Sequence, residues 1–567
     1  MASKAPIRKL LIVGWDGAEP TIVAGMLKDG RLPQLASLAA RGFFTPVAST
    51  VPPSSLPAWT SAMTGVNPGR HGLVDFVRLD PGRRRLRLVT ASEREVPTLF
   101  ELAGRAGLSV ACLGMPGSWP PTPDAGVCIA GFDSPVATRA ERRAFQPPEL
   151  FDELNAGGLA WPYGGADELA VGAGWHSKTR RILMQTIETK TRVAEAILDQ
   201  RSFDLFAIVF SESDTAGHHF WAHHDAHSPR RRAPGFAVKD LGDTIEKTYA
   251  ALDRALGRLL SACGPQTAVL VLSDHGFGGS SDQIVFVNRW LAAEGLLRFS
   301  PLNRIASDMA SALTTRAARI LPATVKESLL RGPLQKAIFR IEGLGRFGAI
   351  DWKATRAFSN ELPQNPGIWI NDPPVRRDTP NASATDRRLV DRIAAGLLAW
   401  RDTRGRPVVR SVHRPGDINP GPYLNRAPDL LVELAEWDGY RLVAAPSRGR
   451  AGRLLGSLNN DQLIGSKGSG TSGCHRSYGM LVAASHGKGN SAPAGSAVKL
   501  VDICPTAMTL LGLPLPAGLD GRCLPEIAPS NIIRPAKANP GAQPQTVVYT
   551  PEQERLVRER LEKLGYL

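Results

Sequence analysis

No two of the six cysteines, Cys112, Cys128, Cys263, Cys474, Cys504 and Cys523, stand in a CxxC pair. That scatter argues against a disulfide framework and against a zinc–thiolate site. Several of the thiols lie in apolar runs, as small buried hydrophobes do. Long apolar stretches are also missing: none approaches the ~20 residues that cross a bilayer. The opening "MASKAPIRKLLIVGWDG" lacks a signal peptide's longer apolar core and cleavage site. The expectation is a soluble, cytoplasmic protein without a transmembrane segment. There is no internal repeat and no extended charge run. The formal net charge is +15, yet the densest basic runs, Arg83 to Arg85 and Arg230 to Arg232, are short and carry no interleaved aromatics. Such a pattern speaks against a nucleic-acid partner and for a basic surface that attracts a small anionic substrate.

What is present is a rhythm. Apolar runs of strand length recur at "LLIVGWDG" (10–17), "LSVACLGMP" (108–116), "DLFAIVFSESD" (204–214), "TAVLVLSDHG" (267–276) and "GMLVAASHG" (479–487). Their continuous apolarity suits strands covered on both faces, hence a largely parallel sheet. Between them "LPQLASLAARG" (32–42) and "TIEKTYAALDRALGRLLSAC" (244–263) have helical spacing. Alternating strands and helices predict a doubly wound α/β fold. Its catalytic core is expected over 1–300 and 351–530, with cap elements around 135–200. The basic, amphipathic stretch 301–350 reads as a helical insertion packing its apolar face inward, rather than as a membrane-surface helix. Residues 531–549 read as a Pro/Ala/Asn-rich linker. Residues 550–567 read as a C-terminal helix, with Thr550 and Gln553 forming a capping box.

Three apolar runs end in aspartate: Asp16, Asp214 and Asp274. Ligands of open parallel sheets bind outside the carboxyl ends of the strands, so these side chains are placed to converge. Asp214 precedes His218 by four residues, which puts both on one face of a helix. Asp274 is followed by His275, and His475 lies among small residues in "GSGTSGCHRSYG", just before the last strand. Aspartate and histidine without cysteine suit catalytic zinc or manganese. His219, His223, His224 and His486 are read as ordinary core or surface histidines.

The stretch "VPPSSLPAWTSAMTGVNPGRHG" carries five hydroxyls, Ser54, Ser55, Thr60, Ser61 and Thr64, with no acid or histidine before His71. A hydroxyl bound to a divalent cation ionises near neutral pH without a side-chain base, as metal-bound water does. Pro57 suits the first turn of a helix, Gly65 its stop, and Ser55 falls at or beside the N-cap. The helix N-terminus adds N–H groups and partial positive charge for a phosphate. Spacing alone leaves open that Ser54 or Ser55 only caps the helix.

These segments resemble the alkaline phosphatase superfamily, in the branch of type I phosphodiesterases and nucleotide pyrophosphatases. Within it they resemble a microbial group described as predicted phosphohydrolases or phosphomutases. The resemblance rests on "VGWDGAEP", "LPQLASLAARG", "STVPPSSLPAWTSAMTGVNPGRHGLVDF", "FSESDTAGHHFW", "LSDHGF", "DWKATRAFS", "APDLLVE", "GCHRSYG", "DICPTAMTLLGLPLP" and "LEKLGYL", in order along nearly the whole chain. It implies an alkaline phosphatase-type fold with two divalent metal ions, zinc first and manganese second. One ion would be held by Asp16, Asp274 and His275 and would bind the nucleophile Ser55. The other would be held by Asp214, His218 and His475. Attack by Ser55 on phosphorus would give a phosphoseryl intermediate, hydrolysed by water.

Two departures stand out. Nucleotide pyrophosphatases place an asparagine shortly after the histidine of the "HG" step to hold a phosphate oxygen, and Phe76 occupies that position here. Backbone N–H groups, Arg70 or Arg476 are then the candidate donors. Sulfatases carry an arginine where this chain has Trp59. The reading is a metal-dependent hydrolase of phosphoric esters, di- or monoester. Its rivals are a phosphomutase, a sulfatase or phosphonate hydrolase, and a non-catalytic binding protein that kept the fold.

Overall fold

The computed structural model describes residues 9–80, 85–133, 141–163, 174–232, 240–300, 347, 349–371, 384–447, 449, 452–463, 470–485 and 497–528. Most of 301–350, and all of 531–549 and 550–567, lie outside the described residues.

Six-residue runs such as "LLIVGW" and "LFAIVF" are buried at every position, because helices cover the sheet they form on both faces. Leu11, Val13 and Trp15 belong to one apolar cluster with Tyr249, Leu252 and Leu256 of the helix Thr244–Cys263. Leu10 and Ile12 point the other way, into a cluster with Ala58 and Met63 of Ser55–Thr64 and Cys504 and Met508 of Ile503–Leu510. Successive strand side chains face opposite sides, so a strand walled on both sides must be apolar throughout. Each such leucine or isoleucine contributes about 1.5–3 kcal/mol on burial.

The central sheet has nine strands in the order Val498–Lys499, Phe43–Ala48, Tyr478–Ala484, Ala268–Leu272, Leu10–Trp15, Leu205–Phe210, Val110–Met115, Val127–Ala130, Phe145–Gln146. Leu10–Trp15 pairs in parallel with Leu205–Phe210 on one side and Ala268–Leu272 on the other. The doubly wound, mostly parallel α/β architecture expected from the rhythm is what forms. One expected strand runs against the rest: Tyr478–Ala484 is antiparallel to both its neighbours. The reason is the path of the chain. The chain reaches it from Gly473–Arg476 at the carboxyl edge of the sheet, and can only descend from there.

That edge carries the remaining architecture. Gly276–Val285 leaves the sheet edge and pairs antiparallel with Gly473–Arg476, setting Phe277 opposite His475. It also takes Tyr440–Ala444 and Leu455–Ser457 into a smaller sheet. A four-stranded antiparallel sheet, Ala357–Ser359, Gly367–Ile370, Leu430–Leu434 and Val409–His413, stands beside it. Within 135–200, the helix Trp175–Gln200 packs along Thr244–Cys263 and the helix Glu212–His224.

Candidate active site

Each candidate side chain is delivered by the end of an element. Asp16 follows Leu10–Trp15, and Asp274 and His275 follow Ala268–Leu272. Asp214 and His218 share one face of Glu212–His224, as their spacing requires. His475 projects from Gly473–Arg476. The structure brings all of them together with Ser55, and all are buried.

Ser55 opens the helix Ser55–Thr64, which ends at Gly65 with φ 72°. Ser54 precedes it but makes no side-chain cap. Its Oγ donates instead to Asp75 Oδ1, 3.4 Å away. Thr60 and Thr64 bond to carbonyls four residues earlier, and Ser61 meets His71 Nε2 at 3.0 Å. Among the five hydroxyls Ser55 is the one turned to the strand-end acid Asp16 and to His275. Its Oγ lies 3.3 Å from Asp16 Oδ1 and 3.2 Å from His275 Nε2. The capping role that spacing left open is therefore not the one the Ser54 side chain plays.

The imidazoles share a tether. Nδ1 of His218 bonds to the Gly473 carbonyl at 3.1 Å, that of His475 to Pro53 O at 2.8 Å, and that of His275 to Gly276 O at 3.1 Å. A carbonyl only accepts, so in the neutral rings the proton sits on each Nδ1 and the lone pair on each Nε2. His218 Nε2 and His475 Nε2 nevertheless face each other at 2.9 Å. Asp214 Oδ1 lies 3.4 Å from the first and 3.3 Å from the second. Two lone pairs and a carboxylate oxygen converging in a buried space repel one another unless a cation lies among them. This donor set fits a divalent metal, with the second-atom tether typical of metal-ligating histidines.

Asp16, Asp214 and His275 form a second set whose ligand atoms all lie within 4.8 Å of one another. Asp274 Oδ2, buried and accepting no hydrogen bond among the described residues, is 3.4 Å from His275 Nε2. Its Oδ1 accepts from the Gly17 N–H at 3.1 Å. Asp214 thus borders both sets rather than one. Burial, and then the neighbouring carboxylates Asp274 and Asp214, hold the Asp16 carboxyl well above its ordinary range. Burial likewise pushes Asp274 up to about 7. Burial, reinforced by His275, pushes His475 well down. Crowded acids beside an imidazole held neutral describe a place where positive charge is lacking.

Gly473 and Gly217 set the distance between the two histidine-bearing elements. A Cβ on Gly473 would stand 2.1 Å from the Gly217 carbonyl oxygen, so no side chain fits between the strand and the helix.

The two arginines named as oxygen donors are committed elsewhere. Arg70 pairs with Asp520 at 2.8 Å and donates to Gly518 O. Arg476 donates to Cys474 Sγ and Gly279 O and lies 3.4 Å from Glu436. Phe76 is buried against Phe132. His219 and His223 face away from the acids, among Trp175, His176 and Phe220. Burial pushes His223 down to about 4.

Sequence reasoning missed three residues. Trp59 Nε1 donates to Asp16 Oδ2 at 3.2 Å. Asp75, half-buried beside Ser54, has its carboxyl pushed up to about 7 by burial. Gln364 Oε1 accepts the His475 N–H at 3.1 Å. Trp59 and Asp75 stand inside the stretch that carried the resemblance, but nothing in the pattern signalled a hydrogen bond. Gln364 had no signal at all. Replacing Trp59 by phenylalanine keeps the ring that fills this space and removes the donor to Asp16. Metal affinity should fall about 10- to 100-fold, the usual cost of losing an outer partner of a ligand. Titration of the metal-free variant with zinc reads this directly, and unchanged affinity would show that the indole only packs.

A mostly parallel sheet presenting acids and imidazoles at its carboxyl edge, with a helix-borne serine among them, defines a phosphoester hydrolase of the alkaline phosphatase superfamily. The chain belongs to the type I phosphodiesterase/nucleotide pyrophosphatase family, matching it over residues 10–443. Among solved structures the fold is similar to phosphonoacetate hydrolase from Sinorhizobium meliloti 1021 in complex with phosphonoformate. That match has a TM-score of 0.51 at 14% identity, over 89% of this chain and 96% of that one. The phosphonoacetate complex matches with the same TM-score and coverage at 15% identity. Human ectonucleotide pyrophosphatase/phosphodiesterase 5 matches with a TM-score of 0.45 at 12% identity, over 90% of this chain and 97% of that one. No curated protein sequence matches significantly. Among the described residues no helix is long and apolar enough to cross a membrane.

Proposed function

We propose that this chain hydrolyses phosphoric esters, diesters first, with Ser55 as the covalent nucleophile. Asp16, Asp274 and His275 would hold one divalent cation, and Asp214, His218 and His475 the other, zinc ahead of manganese. Bound there, the cations supply the positive charge that ionises a hydroxyl near neutral pH and offsets charge on the phosphoryl oxygens. The observation that carries the reading is Ser55 Oγ within 3.3 Å of Asp16 Oδ1 and 3.2 Å of His275 Nε2.

The chain's own groups account for the rest. The Ser55 oxygen forms the new bond to phosphorus as the ester oxygen leaves with the bonding pair, giving a phosphoseryl enzyme. Water then breaks the Ser55–phosphorus bond, and Ser55 regains its proton as the phosphate product departs. The N-terminal turn of Ser55–Thr64 would add partial positive charge for the phosphoryl oxygens. Asp16 keeps its orientation through Trp59.

The test is a panel of phosphate diesters, monoesters, phosphonates and sulfates, assayed with zinc or manganese. Diester hydrolysis above the other classes supports the proposal. Preferred cleavage of phosphonates would move the substrate class toward that of the Sinorhizobium meliloti enzyme. Transfer of the phosphoryl group to a second hydroxyl of the same substrate would make the chain a mutase. Metal-loaded protein that turns over no member of the panel would leave a binding protein.

A further inference from the structure

Phosphoryl oxygens at this site need donors, and the side chains expected to supply them have other partners: Phe76 is in the core, and Arg70 and Arg476 donate to protein acceptors. The loop after Ala357–Ser359 supplies an alternative. Its residues are buried except Gln364 and Asn365, which are half-exposed. The loop is held rigidly. Asn360 Oδ1 accepts from the Gly367 N–H at 2.8 Å and the Leu362 N–H at 3.4 Å. Glu361 adopts a positive φ of 47°, and its buried carboxylate accepts from the Asn288 N–H and from the N–H and Oγ–H of Ser447. A non-glycine residue kept in that backbone region is tolerated only where its surroundings hold it.

The rigid loop presents one amide to the metal-ligand strand. Gln364 Oε1 accepts the N–H of His475 itself. A backbone N–H can only donate, so the orientation of the amide is determined, and Nε2 with its two donors is the free end. That end makes no hydrogen bond to the described protein.

We propose that Gln364 donates from Nε2 to a non-bridging oxygen of the substrate phosphoryl group, and so is a substrate-binding residue of the site. This rests on the hydrolase reading above. Gln364→Glu and Gln364→Met separate the two ends of the side chain. Glutamate keeps an acceptor for His475 but removes both donors and adds a negative charge; methionine keeps the length and removes everything polar. The expected result is a loss of diester turnover of about 100-fold or more for glutamate and about 10-fold for methionine, as for a hydrogen bond to a charged group. Orthovanadate binding to the zinc-loaded protein, measured by calorimetry, should weaken in the same order, with zinc content unchanged. Glutamate at wild-type levels while methionine is impaired would overturn the proposal, since Gln364 would then only hold His475. Wild-type behaviour of both would overturn it too. Should the wild type hydrolyse no ester, weaker vanadate binding by both variants at unchanged zinc content would uphold Gln364 and sink the nucleophile reading. Unchanged vanadate binding, or none by the wild type, would sink Gln364.

Discussion

Ester turnover by a Ser55→Ala variant should fall on the order of 10^4-fold or more, the scale of removing a covalent nucleophile. Zinc content should not change, because the three carboxylates and three imidazoles are untouched. The fold should hold as well: Ser55 is the first residue of its helix, and alanine is a good helix former. Its hydroxyl touches Asp16 and His275 across the sheet edge. The neighbouring hydroxyl is the control. Ser54 Oγ faces Asp75, and Ser54→Ala should retain most activity. A steady-state assay with metal analysis on both variants decides the matter. Near-normal turnover without the Ser55 hydroxyl would mean that water attacks phosphorus directly.

The second large effect belongs to Asp214. Its Oδ1 meets both His218 and His475, and the same residue borders the Asp16 and His275 set. Asp214→Asn should therefore cost metal at both sets, with turnover down on the order of 10^3-fold or more. It should also remove most of the stability that cations supply. An ion that binds only the folded chain adds about 4 kcal/mol at a thousand times its dissociation constant. That gain depends on pH, and the sign follows from the raised carboxyls. A carboxyl held up in the folded state contributes stability that is fully present below its ordinary value near 3.8. The contribution is lost as pH rises through the folded value, about 7 for Asp274. Metal-free protein thus loses this contribution between about pH 4 and 7, while the cation binds better as the acids ionise. Thermal melts with zinc or with chelator, at pH 5 and pH 8, should show the larger zinc-dependent gain at pH 8. Equal gains, or a full gain in the asparagine variant, would remove Asp214 from the ligand set.

Much of this site was legible along the chain. The four-residue step from Asp214 to His218 states a helical face, and Glu212–His224 obeys it. Asp16 and Asp274 stand at strand ends because apolar runs stop there, and Gly65 closes the helix that Pro57 helps to start. Such features depend on neighbours a turn or a pleat away. Other features had no local trace. The backward course of Tyr478–Ala484 follows from where the preceding strand leaves the chain, not from its own residues. The indole of Trp59 on Asp16, and the amide of Gln364 on His475, join segments whose separation says nothing about contact.

From its own residues, then, this chain determines alternating elements, apolar strands for a sheet covered on both faces, and acids, imidazoles and a serine of the types that suit metal-assisted hydrolysis. Those are matters of periodicity and side-chain chemistry, which act over a few residues. Tertiary structure alone decided that Asp214 stands between the two ligand sets, that Arg70 and Arg476 serve the protein, and that a glutamine faces the last histidine. Strand order and close passages such as Gly473 against Gly217 set those distances. They arise only when remote segments compete for the same packed space.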